Sequence, residues 1–123
     1  MYIIFGSNAA EEVSKTKTVL EVDTIRIMPN NVLAPSYCVL DSVPLTESQI
    51  INNSKKIHAD LITQYRQQNW QYCINAIKDL KGQWNGELDD FYDNLLERVS
   101  NFRVSPPAQD WDYAVIRQVV VPG

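Results

Sequence analysis

Few residues in this chain carry side chains that could do chemistry, and their spacing narrows the options further. There is one histidine, His58, and two cysteines, Cys38 and Cys73. Three such ligands cannot complete a zinc site of four cysteines, or of two cysteines and two histidines. A di-iron helical bundle needs two Glu-x-x-His motifs, and there are none. Each cysteine sits among apolar residues, which predicts a free, buried thiol packing as a small hydrophobe. The densest run of acids is Glu87, Asp89, Asp90, Asp93 and Glu97. On a helix, Asp90 and Asp93, or Asp93 and Glu97, share a face and could hold a hard cation. The better reading is that the first acids offset the helix dipole and the rest solvate an outer face. No Asp-rich loop of the EF-hand type and no glycine-rich phosphate loop is present. We therefore assign no catalytic, cofactor-binding or metal-ligating residue, expect no cofactor, and read His58 as a hydrogen-bonded helix histidine.

Aromatics are the other conspicuous set. Trp70, Trp84, Trp111, Tyr65, Tyr72 and Tyr92 crowd a short helical stretch. Core packing accounts for most of them. The segment Gln83-Trp84-Asn85-Gly86 differs, because its tryptophan lies between helices among polar residues. Trp84 and Asn85, with Trp70, Tyr72 and Trp111, are the expected contact surface if the aromatics serve recognition.

The elements that must position these residues follow from periodicity. The fold class expected is α+β: a small N-terminal antiparallel sheet with one short helix, then a three-helix, TPR-like antiparallel region, then an extended tail. Residues 1–45 form the β-rich part, 46–104 the helical part and 105–123 the proline-marked tail, together one domain. Tyr2-Ile3-Ile4-Phe5 reads as a strand ended by Gly6, with Ser7 or Asn8 capping a short helix. In Thr18 to Ile27, Leu20 and Val22 share one face while Ile25 and Ile27 share the other. Strand period is two, so this slip predicts a bulge or tight turn near Asp23-Thr24. Pro29-Asn30-Asn31 is a turn, and Ser36 to Val43 pairs back as a hairpin.

Beyond Pro44 the period becomes helical. Thr46-Glu47-Ser48-Gln49 fits a capping box. A first helix ends near Arg66 with His58, Leu61, Ile62 and Tyr65 on one face. A second spans Trp70 to Leu80 and is closed by Lys81-Gly82. A third starts near Glu87 and carries Leu88, Phe91, Tyr92, Leu95, Val99 and Phe102. Short links make neighbouring helices antiparallel. Ser105-Pro106-Pro107 ends the last of them, Trp111 docks on the helices, and Tyr113 to Val121 is β-prone.

Composition sets the outer bounds. The chain has 123 residues, 45% apolar and 21% charged, with a net charge of −4 and a pI near 4.8. That suits one folded domain rather than a disordered segment. The acidic balance argues against nucleic acid as a partner, since phosphate affinity comes mostly from Lys and Arg. No run approaches the roughly 20 apolar residues that span a bilayer. No signal segment is evident, so a cytoplasmic location and no membrane partner are expected.

The order of the features also carries a resemblance. Val19-Leu20-Glu21-Val22-Asp23-Thr24-Ile25-Arg26-Ile27, a turn, and Ala34-Pro35-Ser36-Tyr37-Cys38-Val39-Leu40 resemble the last hairpin of class III nucleotide cyclase domains. The helical tail of bacterial members is similar in turn to Tyr65-Arg66 before Trp70, Leu95-Leu96-Glu97-Arg98, and Pro106-Pro107-Ala108-Gln109-Asp110-Trp111-Asp112. The likeness spans roughly residues 16 to 115. The family's Lys-Gly turn is replaced by Pro29-Asn30-Asn31, its small helix residue by Cys73, and the Gly after Trp-Asp by Tyr113. The resemblance implies that the metal-binding aspartates and the Asn/Arg pair of a cyclase would lie upstream of this hairpin, so no catalytic residue carries over. The opening Tyr2 to Gly6 and the stretch Leu80 to Tyr92 are also similar to small proteins of T4-like marine phages. Together these readings lead to the expectation of a non-catalytic module that contacts another protein, or itself as a structural or assembly component.

Overall fold

Tyr2-Ile3-Ile4-Phe5 forms strand β1 (Tyr2–Phe5) because Gly6 ends it with a φ of 90°, a value that costs a side-chain-bearing residue. Gly6 is itself the N-cap of helix α1 (Ser7–Ser14), and no side chain caps it. The expected cap at Ser7 or Asn8 is thus corrected. The chain must reverse at once from strand to helix, which requires the left-handed backbone that glycine supplies. The architecture is that of a computed structural model that describes residues 1–28, 30–40 and 49–118.

After α1 come β2 (Thr18–Met28) and β3 (Val32–Leu40), then α2 (Gln49–Arg66), α3 (Trp70–Leu80), α4 (Asp89–Val104) and β4 (Ala114–Gln118). The fold is α+β, as the periodicity predicts. The expected capping box and the end of the strand expected to reach Val43 lie outside the described residues. The sheet runs in the order β1-β3-β2-β4. β3 is antiparallel to both β1 and β2, so β1-α1-β2 is a parallel crossover split by an inserted strand. The expected hairpin is therefore the centre of a larger sheet. The β-prone tail supplies β4, which pairs parallel with β2 from Thr24 to Met28. That differs from the antiparallel sheet expected, because the tail crosses the helices before it returns to the sheet edge.

The predicted slip in β2 is a register shift between Glu21 and Thr24. Its effect is to put Val22 and Ile25, three residues apart, on the same side, and both line one groove. Ser36 repairs the interrupted ladder. Its hydroxyl accepts from the Asp23 N–H at 3.2 Å and donates to the Asp23 carbonyl at 2.6 Å. Leu20, Val22, Cys38 and Leu40 face the helices and pack on Leu61, Cys73, Ile77, Leu80, Leu95 and Val99. Both cysteines are fully buried, and burial pushes the Cys73 thiol up to about 11, so little of it is thiolate near neutral pH.

α3 ends in a tight turn. Lys81 is extended, Gly82 has φ 87°, and the Gln83 N–H reaches the Leu80 carbonyl at 3.0 Å. This is the geometry of a type II turn, which needs the glycine. The tail is pinned twice. Trp111 lies edge-on to Tyr65 and Phe102 and near Trp70, at ring separations of 5.2 to 5.9 Å. Asp112 pairs with Arg26 of β2 and accepts the Ala114 N–H.

Candidate functional site

The sheet face that packs on the helices is not covered evenly. Ile3 stands directly opposite Cys38, and Phe5 directly opposite Ser36, so both share the face that carries the core. Cys38 is fully buried, yet Ile3 is 44% and Phe5 51% exposed. Between β1 and α4 this leaves a groove of about 550 Å³, walled by Ile3, Phe5, Val22, Ile25 and Phe91. That volume falls within the usual range for ligand-binding clefts.

One ion pair forms the polar part of the groove. The bulge aims Asp23 at α4, where Arg98 Nη1 donates to Asp23 Oδ1 at 2.9 Å and to the Tyr65 hydroxyl at 3.4 Å. The Asp23 side chain is 13% and that of Arg98 25% exposed. No buried polar side-chain atom among the described residues lacks a partner. The remaining guanidinium nitrogens of Arg98 therefore reach open space, where they can meet an acceptor. On α4 the stripe Phe91, Asn94 and Arg98 lines the groove, and the exposed Asp90 and Glu97 flank it at helical spacing.

Behind Phe91 lies a buried hydrogen-bonded chain. Phe91 touches the rings of His58 and Tyr92. His58 Nε2 is 2.6 Å from the Glu21 carbonyl, which can only accept, so Nε2 carries the hydrogen. Nδ1 of the neutral ring then accepts from the Tyr92 hydroxyl at 2.9 Å. The Tyr92 oxygen in turn accepts from Trp84 Nε1 at 3.0 Å. His58 is thus a satisfied core histidine, and the chain holds α2, α4 and β2 in fixed relation under the groove.

Burial holds the His58 pKa below the ordinary histidine value of 6.5. The unfolded chain then binds a proton that the folded chain refuses, so stability rises with pH through this window. The contribution is complete above about pH 6.5 and is lost as pH falls toward the folded-state value. His58 is the sole histidine, so few other groups titrate between about pH 5 and 6.5. Urea midpoints measured across that range should give a slope approaching about 1.4 kcal/mol per pH unit. His58→Gln, which keeps a donor and an acceptor, should flatten it. An unchanged slope would show that His58 is not the group responsible.

The expected contact residues fall into separate places. Trp84 is 6% exposed and its indole enters the core, so the expectation of an exposed tryptophan loop is corrected. The cause is the backbone: Trp84, Asn85 and Gly86 have φ of 58°, 54° and 78°, a left-handed turn that points the indole inward. Asn85 is exposed beside it. Trp70 and Trp111 are half-buried against each other and Phe102, where they pin the tail, while Tyr72 is exposed at 37% on α3. The structure brings Trp70 and Trp111 together and places Trp84 in a different cluster. Ile3, Phe5, Phe91 and Arg98 were not singled out by sequence. The slip at Asp23 was the one signal that pointed toward them.

Among the described residues, no group of three His, Cys, Asp or Glu side chains is placed to share a metal ion, and no helix is long and apolar enough to cross a membrane. No family model, curated protein or solved structure matches this chain.

Proposed function

We propose that this chain is a non-catalytic protein-interaction module whose partner seats against the groove between β1 and α4. The observation that carries the reading is the exposure of Ile3 and Phe5 on a sheet face that elsewhere is sealed by helices. Apolar side chains so placed are stabilised when something covers them. A regulatory role toward a cyclase-like partner, which the likeness of hairpin and tail implies, belongs to the same proposal, as does a phage source.

A displayed library of random peptides tests the groove without the partner having to be identified first. Selection on the intact chain should yield binders whose recovery falls at least about tenfold on Phe5→Asp, a change at an exposed position. Equal recovery on both forms would remove the groove as the site. Trp84 variants do not serve as the control, because they would disturb the core.

A second reading, self-assembly as a structural component, is favoured by β1 itself. This edge strand carries no charge and no proline, the devices that usually prevent edge pairing. Sedimentation of a strict monomer at high concentration would count against it.

A further inference from the structure

We propose that the occupant of the groove is an extended segment of another protein that adds as a strand beside β1, with apolar side chains at alternate positions and Lys or Arg among the rest. This rests on the reading of the groove as an interaction site, and it names the shape and charge of what binds there.

The backbone gives the shape. Gly6 N–H donates to the Pro35 carbonyl at 2.9 Å, so the pair Gly6 and Pro35 is of the hydrogen-bonded kind. Antiparallel pairs alternate between bonded and non-bonded. Counting back through the register, Ile4 and Tyr2 direct their peptide groups at β3, while Phe5 and Ile3 direct theirs outward. Among the described residues no strand pairs with that outer edge. An added strand would therefore bond to the N–H and C=O of Ile3 and Phe5, the residues whose side chains line the groove. Every second side chain of the newcomer would extend the same apolar face toward Phe91. Backbone bonding with alternate side-chain pockets is how strand addition combines affinity with selectivity.

The charges give the composition. The whole chain carries −4, and Asp90 and Glu97 stand exposed along the α4 wall. Lys and Arg suit this rim, because their methylenes can lie on apolar surface while the charge reaches an acid. The open nitrogens of Arg98 and the Asp23 carboxylate add a donor and an acceptor for a peptide's own polar groups. A second copy of this chain would bring another −4 to the same rim, so charge favours a basic partner over self-pairing.

Three labelled octapeptides test this by fluorescence anisotropy: Val and Ile alternating with Lys, the same with Glu, and the Lys composition scrambled to break the alternation. The probe protein is the full chain, with Ile3→Pro and Asp90→Lys/Glu97→Lys as variants. Ile3→Pro removes an outward N–H that the fold does not use, and the charge swap changes only exposed sites. The alternating Lys peptide should bind at least about tenfold tighter than the other two and weaken with salt. It should lose about tenfold or more on Ile3→Pro, and the charge swap should reverse the preference between Lys and Glu peptides. Equal binding of Lys and Glu peptides would overturn the charge argument, and equal binding of the scrambled peptide would overturn strand addition. Either result leaves the groove reading intact. If no peptide binds and the chain sediments as a dimer that Ile3→Pro dissociates, the occupant is a second copy. If no peptide binds and the chain is a monomer, the proposal and the groove reading both fail.

Discussion

Tyr92→Phe should destabilise the fold by about 2–5 kcal/mol, although it removes a single oxygen atom. The Tyr92 hydroxyl is the middle of the buried chain: it donates to His58 Nδ1 and accepts from Trp84 Nε1. Tyr92 is fully buried and His58 nearly so. Without the oxygen, an imidazole nitrogen and an indole N–H are both left in a site closed to water. Each such orphan costs roughly 1–3 kcal/mol, well above the net worth of one ordinary hydrogen bond. Total stabilities of domains run to about 5–15 kcal/mol, so the loss is a large share. The urea midpoint should fall with an unchanged m value. Removing His58 as well, as His58→Leu/Tyr92→Phe, should cost less than the sum of the two single changes, because one orphan disappears with its partner. Additive losses, or a Tyr92→Phe cost below about 0.5 kcal/mol, would mean that the three groups do not form one network.

This network was half legible in the sequence. His58, Leu61 and Tyr65 recur on one face of α2, and Leu88, Tyr92, Leu95 and Val99 on one face of α4, so periodicity placed His58 and Tyr92 on core-facing stripes. It could not place them against each other, since that depends on how the helices lie across the sheet. The slip between Val22 and Ile25 was readable for a different reason. A strand has a strict period of two, so a break in parity has few structural solutions. The bulge it demanded is present, and its consequence, an Asp23 side chain turned toward Arg98 across 75 residues of sequence, is a tertiary fact.

The groove was hidden by the same rule that revealed the bulge. Ile3 and Phe5 alternate as core residues do, and nothing in Tyr2 to Phe5 says that α4 leaves them open. The tail shows the complementary case. Tyr113 to Val121 has the composition of a strand, but a strand's partner and direction are set by where the preceding chain delivers it. Here the Trp111 contacts and the Asp112–Arg26 pair deliver it parallel to β2.

The misplacement of Trp84 has a sharper cause, and it yields the other large effect. Polar neighbours on both sides of Trp84 suggested a solvent-facing loop, but a left-handed turn directs successive side chains differently from the usual one. Trp84 and Asn85 adopt positive φ without being glycine, at roughly 1–2 kcal/mol per residue for the crowded Cβ. Asn tolerates this region, but a bulky residue there is an outlier. Burying an indole outweighs the strain, since truncating a core Trp to Ala typically costs about 3–5 kcal/mol. Trp84→Ala should therefore lose about 3–5 kcal/mol, for it keeps the strained Cβ and empties the site. Trp84→Gly empties the same site but removes the Cβ, and glycine takes φ near 58° freely. It should be more stable than Trp84→Ala by about 1 kcal/mol, the reverse of the order at ordinary positions, where Gly is the worse residue. Paired denaturation curves of the two variants decide it. If Gly proves equal to or worse than Ala, the turn is not held against its own preference by the indole, and the account of why Trp84 lies inside the core must be abandoned.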